Sequence, residues 1–335
     1  MTFRCTVCYG EAVDRVLERG DGVNVLFCKQ CGMGVIAEIP QSTAQFYVDG
    51  YYGEGGGVQA APSGLSYADY EFTAEHSLLW LTCAVECLGR PKRILDVGCA
   101  TGSWLANLRG AHVRAGIEVN AAAAHRARAR GVCIIADDIL SPSLLDGRMS
   151  KFDLVTSIAT LEHVADIRQA LKICLGLLAD DGILLFEVPL ISATRDNRDW
   201  LNGSYEHIWY PTEGAMENLG AFFPGVKFMG FECFIEGYSS TYIGAGAVSD
   251  GAVRRAEALL SAMRLERLDG LSADDRCLNV AFNLVHCFRS SSQVIENLPL
   301  LLERRCNSNL AKRLAARWMA DLEPRDAAGL RALRL

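Results

Sequence analysis

The chain has 335 residues, half of them hydrophobic, and a formal net charge of −7. That length and apolar content support a full core and one or two domains. The acidic balance argues against a protein that wraps duplex nucleic acid, and no run of about 18 apolar residues marks a membrane span. The opening MTFRCTVC has no basic-then-apolar leader, so the expectation is a cytoplasmic chain whose 13 cysteines are reduced thiols or metal ligands rather than disulfides.

Four cysteines stand apart. Cys5-Thr-Val-Cys8 and Cys28-Lys-Gln-Cys31 are two C-x-x-C pairs separated by nineteen residues. Each can hold two thiolates on one side of a tight turn, and together they make a tetrahedral four-sulfur site suited to Zn2+. Four protein ligands leave no open coordination position, so the metal is expected to be structural. Gly10 and Gly32 follow the pairs where the chain must turn back. Between them AVDRVLERGDGVNVLFC reads as two short strands joined at Gly20-Asp21-Gly22. Residues 1–40 are thus expected to be a zinc ribbon. Cys99, Cys133, Cys174, Cys233 and Cys277 stand singly in apolar segments and read as small buried hydrophobes, and Cys83 and Cys87 have a helical core spacing.

Residues 41–70 are rich in glycine and tyrosine, with five glycines in 50–57, a composition that suggests mobility. They form either a linker or a lid. Residues 71–88 have helical apolar spacing at Leu78, Leu81, Val85 and Leu88, stopped by Gly89-Arg90-Pro91. RILDVGCATGSWLANL then reads as a short buried strand, a turn bracketed by Gly98 and Gly102, and a helix that Ser103 can cap. A glycine turn running into a helix N-terminus is a cradle for a nucleotide-type ligand. Strand and helix alternate from there: VRAGIEVN ends in Glu118, a helix opens at Asn120 and closes at Gly131, VCIIADDI ends in Asp137 and Asp138, and FDLVTSIA is a fourth strand. A helix over DIRQALKICLGLLADDG, apolar at Ile167, Ala170, Leu171, Cys174, Leu175 and Leu178, leads to a fifth strand, ILLFEVP. The basic stretch HRARAR (His125 to Arg130) reads as a solvated helix face. Such alternation predicts an α/β fold with a doubly wound parallel sheet. Its ligands bind at the carboxyl ends of the strands, where Asp96, Glu118 and Asp138 fall.

A strand–glycine–helix unit with an acid about twenty residues on fits a dinucleotide or S-adenosylmethionine. The turn Gly98-Cys99-Ala100-Thr101-Gly102 does not supply G-x-G-x-x-G. LDVGCATG instead resembles the first motif of the class I methyltransferases, with Ala100 in place of the middle glycine. FDLVTSIATLEHVAD and LLADDGILLFEVP are similar to that family's fourth- and fifth-strand regions, and the resemblance covers about residues 72–250. It implies a Rossmann-like seven-stranded sheet over 71–250 that ends in a hairpin, here VKFMGFECFIEGYSSTYIGAGAVS with a turn at Gly237 to Ser240. It also implies a cofactor, S-adenosylmethionine. Asp96 would face the amino group of the methionine moiety, and the 98–102 backbone, including Cys99 and Ala100, would admit the cofactor. Glu118 would take the ribose hydroxyls, and Asp138 or its rival Asp137 the adenine amino group. Either aspartate could instead simply cap the turn. By the same resemblance residues 41–70 form a lid over cofactor and acceptor.

Methyl transfer needs a base only when the acceptor is a poor nucleophile. Two segments offer one. TLEHV brings Glu162 and His163 just after strand four, where they either serve the reaction or cap and pack the next helix. GSYEHIWYP, after strand five, is similar to an EH…Y signature in zinc-ribbon-bearing methyltransferases acting on nucleotide-linked deoxysugars. That resemblance implies His207 as base and Tyr205 and Glu206 as contacts to a small-molecule acceptor, a sugar or nucleotide-sugar. Trp209 and Tyr210 are assigned to packing. The tail from 251 to 335 reads as helical, with an apolar stripe at Leu310, Leu314, Trp318 and Leu322 that packs on the core or pairs with a second copy. It lacks the strand pattern of the sugar C-methyltransferases' larger C-terminal domain, which leaves oxygen methylation open beside carbon methylation.

Overall fold

The computed structural model describes residues 3–40, 43–47, 91–108, 112–145, 151–191, 205–233 and 241–265, with Leu81, Val85, Leu88, Gly89 and Leu201. Residues 1–234 and 238–263 form one compact unit, and a second, 235–237 with 264–335, lies almost wholly outside the described residues. Also outside them are most of segment 41–70, most of the expected helix 71–88, the Gly237–Ser240 turn and the tail stripe. No helix among the described residues is long and apolar enough to cross a membrane.

The described strands are β1 (Val13–Glu18), β2 (Asn24–Cys28), β3 (Gly34–Ile36), β4 (Arg93–Val97), β5 (Val113–Ile117), β6 (Cys133–Ala136), β7 (Phe152–Ile158), β8 (Leu178–Pro189), β9 (Trp209–Tyr210), β10 (Lys227–Cys233) and β11 (Thr241–Ala247). The described helices are α1 (Ser103–Asn107), α2 (Ala121–Ala129), α3 (Ile167–Gly176), α4 (Glu213–Glu217) and α5 (Asp250–Leu265). Seven strands form one sheet in the order β10-β11-β8-β7-β4-β5-β6. The five from β8 to β6 run parallel, and β11 and β10 add an antiparallel hairpin at one edge. The Rossmann-like sheet expected from the sequence is therefore present.

Its central strands are apolar on both faces because both faces are covered. Leu95, Val155 and Leu184 face one core with α3. Ile94, Leu154 and Ile183 face the other, with Leu81, Val85, α1 and α5. α2 starts where Asn120 accepts from the Ala123 amide and stops before Gly131, whose φ is 82°. α3 starts at Asp166, which accepts from the Gln169 amide.

Three local expectations are corrected. Ser103 is the first helical residue of α1 rather than its cap, because left-handed Gly102 already occupies the cap position, with no side-chain bond. Leu178 belongs to β8, not to the preceding helix: the Phe152 amide bonds the Leu177 carbonyl, and Phe152 pairs with Leu178. Cys133 is exposed rather than buried, since it lies on β6, the edge strand of the sheet.

The second sheet is antiparallel, in the order β1-β2-β3-β9. β1 and β2 are joined through the expected turn, where Gly22 has φ 81°. The fourth strand is a piece of GSYEHIWYP: Trp209 pairs with Val35 and Tyr210 with Gly34. Both aromatic residues are buried, as expected for packing. Val7, Val25, Phe27 and Met33 of the N-terminal unit share one apolar cluster with Phe186, Val188 and Trp209. Arg168 on α3 grips this unit, donating to the Val7 and Phe222 carbonyls with its guanidinium over the Tyr9 and Phe223 rings.

β3 and β9 approach so closely that a Cβ on Gly34 would lie 2.7 Å from Phe27 Cε1 and 2.8 Å from the Tyr210 carbonyl oxygen. Gly176, at the end of α3, has nothing within 4 Å of the same position. Gly34→Ala is expected to lower unfolding free energy by about 1–3 kcal/mol through overpacking. Gly176→Ala is expected to be neutral or to stabilise by up to about 1 kcal/mol. Urea unfolding of the two variants compares them, and an unchanged midpoint for Gly34→Ala would refute the tight junction.

Candidate functional site

From β4 the chain proceeds outward through β5 and β6 on one side, then crosses to β7 and β8 on the other. The carboxyl ends of β4 and β7 therefore mark the switch point at which open α/β sheets bind ligands. Asp96 and Thr156 meet there: the Thr156 hydroxyl donates to Asp96 Oδ1 at 2.7 Å, and both side chains are buried. Burial pushes the Asp96 carboxyl up to about 7; the Thr156 bond opposes this and the Glu118 charge adds to it.

The loop after β4 is shaped by left-handed backbone at Gly98 (φ 78°), Ala100 (φ 49°) and Gly102 (φ 71°). A Cβ on Gly98 would run into Thr160 Oγ1, and one on Gly102 would lie 2.9 Å from Val132 Cγ2. Both glycines are thus required by backbone conformation and close packing. Ala100 bears about 1–2 kcal/mol of left-handed strain, and its amide donates to Glu118 Oε2 at 2.8 Å. Glu118 Oε1 accepts from the Asn120 amide, also at 2.8 Å. Glu118 thus ties the β4 loop to the start of α2. Cys99 is buried, and a Cβ on Gly116 of β5 would strike its sulfur. Asp138 caps its own turn, Oδ1 accepting from the Leu140 amide at 2.8 Å, while neighbouring Asp137 is exposed.

One step past β7, the two proposed catalytic segments converge. Glu162 Oε1 lies 3.6 Å from His163 Nε2 and 4.0 Å from His207 Nε2. The two imidazole rings meet edge to face with centroids 4.7 Å apart. Glu162 is 1% exposed and His207 3%. Burial, with the nearby Glu187 and Glu206 charges, holds the Glu162 carboxyl well above the usual carboxylate range. Burial pushes His163 down to about 4. It also carries His207 well below its ordinary value, aided by His163 and Arg19. At neutral pH both imidazoles are therefore neutral. Tyr47 spans the gap to the loop: its carbonyl accepts from Asn120 Nδ2 and its ring lies 6.1 Å from that of His163.

The segment carrying His207 is held from both sides. The Ile208 amide donates to the Glu162 carbonyl at 2.8 Å, and Trp209 Nε1 donates to the Val164 carbonyl at 2.7 Å. From the other side Arg19, 4% exposed, donates to the His207 carbonyl at 2.9 Å and the Tyr210 hydroxyl at 3.0 Å. It forms a bidentate pair with Asp21 and lies under the Tyr205 ring. Glu206 is buried beside it in sequence.

At the far end of the small sheet the sulfurs of Cys5, Cys8, Cys28 and Cys31 lie within 4.8 Å of one another, with Cys5–Cys31 at 3.6 Å and Cys8–Cys28 at 3.5 Å. Tetrahedral thiolates around zinc stand roughly 3.8 Å apart, from a Zn–S distance of about 2.3 Å, so the four residues fit such an ion. The Gly10 amide donates to Cys8 Sγ, as knuckle amides do around bound sulfur.

Residues 66–221 match the family model described as a methyltransferase domain. That stretch, a little under half of the chain, is similar to methyltransferase domains. Curated relatives named ubiquinone biosynthesis O-methyltransferase include one from Alkalilimnicola ehrlichii, 35% identical over 32% of this chain and 47% of its own length. Another, from Idiomarina loihiensis, is 32% identical over 36% of this chain and 51% of its own. The chain thus spans about half the length of the curated relatives it matches. A solved O-methyltransferase family protein from Burkholderia thailandensis is 14% identical, covering 57% of this chain and 60% of that one, with a TM-score of 0.42.

The match begins after the cysteine unit. Arg19 is the residue that sequence reasoning missed. In ERGDG it reads as a turn charge, and only its fixed place between Asp21 and the 207–210 segment reveals its role.

The raised Asp96 carboxyl makes stability depend on pH. Its folded value, about 7, exceeds its unfolded value near 3.9. The advantage of the protonated acid is therefore complete below about pH 4 and is lost as pH rises through about 7. Relative to Asp96→Asn, wild type is expected to lose up to roughly 4 kcal/mol of unfolding free energy across that window. Urea unfolding of ligand-free protein at stepped pH tests this, and parallel pH profiles would refute it.

Proposed function

We propose that this chain transfers a methyl group from S-adenosylmethionine to an oxygen of a small-molecule acceptor. The observation that carries this reading is the Asp96–Glu118 pair behind the left-handed 98–102 loop, at the switch point of a methyltransferase domain. The names of the curated relatives favour oxygen as the acceptor atom. The resemblance of the EH segment and cysteine ribbon to deoxysugar methyltransferases favours a sugar or nucleotide-linked sugar.

The residues present suit the cofactor. Asp96 would face the ammonium of its methionine moiety, whose charge offsets the burial that raises this carboxyl. Glu118 would accept from the ribose hydroxyls, as a carboxylate with two oxygens can. Asp138 or Asp137 would meet the adenine amino group. When bound, the cofactor supplies a methyl already activated by its sulfonium. The chain's own tasks are then to orient the acceptor, exclude water and hold the proton its hydroxyl gives up. His207 takes that proton at Nε2, being neutral at working pH. His163 and Glu162 stand beside it as alternative acceptors, and Tyr205 and Glu206 as acceptor contacts. Zn2+ on Cys5, Cys8, Cys28 and Cys31 would have no vacant position, so its part is to hold the ribbon that carries Arg19.

Calorimetry with S-adenosylhomocysteine tests the reading without knowledge of the acceptor. Saturable one-to-one binding is expected, weakened at least tenfold by Glu118→Ala, which loses the ribose contacts. Binding near pH 6.5 is expected to release a proton, because the ligand's ammonium drives Asp96 to ionise. Asp96→Asn should abolish that release, seen as the loss of dependence on buffer ionisation heat. No saturable binding by wild type would overturn the function.

A further inference from the structure

The methyl-transfer reading needs one proton acceptor, yet Glu162, His163 and His207 together present a metal-ligating donor set. Two imidazoles and a carboxylate each offer one ligand atom, and the three atoms lie within 4.8 Å of one another in a buried cluster. The separations of 3.6 Å and 4.0 Å from Glu162 Oε1 to the two Nε2 atoms are too long for hydrogen bonds, which close at about 2.7–3.2 Å. They approach the roughly 3.4 Å between tetrahedral ligands that each sit about 2.0–2.2 Å from one ion. By the same geometric test, the ribbon sulfurs fit their metal.

The cluster is also incomplete as a set of protein contacts. Glu162 Oε2 is buried with no hydrogen-bond partner among the described residues. A carboxylate that is 1% exposed is costly unless a cation or proton meets it. His163 Nδ1 is likewise buried with no hydrogen-bond partner among the described residues. The backbone on both sides is pinned as well, by the Ile208 amide on the Glu162 carbonyl and by Arg19 on the His207 carbonyl. The three donors thus come from two segments fixed to each other independently of any ion.

We infer that Glu162, His163 and His207 bind a divalent metal ion of the zinc class, at a second site separate from the four cysteines. The donor chemistry selects the ion: paired imidazoles with one carboxylate suit zinc, iron(II) or cobalt(II), whereas magnesium and calcium take sets made of oxygen. Three protein ligands leave a coordination position open. Resting on the proposed methyl transfer, the ion would hold the acceptor hydroxyl there and lower its pKa, so that the hydroxyl gives up its proton to solvent before the site closes and is bound as the alkoxide. With the ion present His207 is a ligand; without it, His207 is the proton acceptor.

Full-length protein is loaded with Zn2+, desalted, and its bound zinc counted by mass spectrometry. Glu162→Gln and His163→Gln are each expected to carry one ion fewer per chain than wild type, with the ribbon's ion kept. Equal zinc in wild type and both variants would overturn the site. Titration of metal-free wild type with Co2+ needs no variant: two equivalents should bind, only one producing intense thiolate charge-transfer absorption. Saturation at a single thiolate-bound equivalent would likewise overturn the site. S-adenosylhomocysteine calorimetry on the same samples reports separately on the methyltransferase reading, since the nucleotide-type loop shares no residue with the cluster.

Discussion

A guanidinium cannot shed its charge, so a buried arginine must be surrounded by acceptors or the fold does not form around it. Arg19 meets this demand with the Asp21 carboxylate, the His207 carbonyl and the Tyr210 hydroxyl. The first of these is on its own turn and the others follow the last parallel strand. Satisfying one cation therefore fixes the small sheet to the segment that carries His207. The pairing of β3 with β9 and the bond from the Ile208 amide to Glu162 extend that constraint to the end of β7. The Glu162–His163–His207 cluster takes its geometry from this chain of contacts. Removing Asp21 or Tyr210 would leave the charge short of partners, which is why a surface turn and a buried ring have a bearing on the same site.

The switch point of the large sheet concentrates acids. Asp96, Glu118 and Glu162 are all buried at or just beyond the strand ends, and two of them have carboxyls raised by burial. An interior with more carboxylates than cations is under electrostatic tension that a positively charged ligand relieves. The ammonium and sulfonium of the proposed cofactor and the divalent ion proposed beside it both have the right sign. The left-handed strain at Ala100, and at Ala159 (φ 46°) at the end of β7, lies at the same place, in keeping with backbone strain held at sites of function.

Much of this was legible in the sequence because the signals were local. Two C-x-x-C pairs bring four sulfurs together whatever else the chain does, and LDVGCATG dictates strand, tight loop and helix within eight residues. Asn120 and Gly131 bound their helix as side-chain capping and left-handed backbone require. What escaped depended on distant residues. A two-residue strand at Trp209–Tyr210 has no periodicity to read, and it exists only because β3 offers an open edge. Arg19 is indistinguishable in sequence from any charged turn residue. The start of β8 at Leu178 was hidden because LLADDG has helical composition, and only pairing with Phe152 draws it into the sheet. Cys133 followed the apolar rule for its segment and missed because β6 lies at the sheet's edge.

The late strand β9 also governs the order in which the molecule can be completed. The cysteine unit is the first part of the described chain to be synthesised, yet its β3 edge stays unpaired until all five parallel strands of the large sheet have been made. An open edge is a template for any other extended chain, and contacts between distant segments form slowly. On the ribosome and during refolding, the β3 edge of the nascent cysteine unit is therefore open to mispairing with a neighbouring copy. A metal bound early by the four cysteines would hold the hairpin together in that interval, but it would not close the edge. Closure waits for Trp209 and Tyr210, so the same event that covers the β3 edge assembles the histidine cluster.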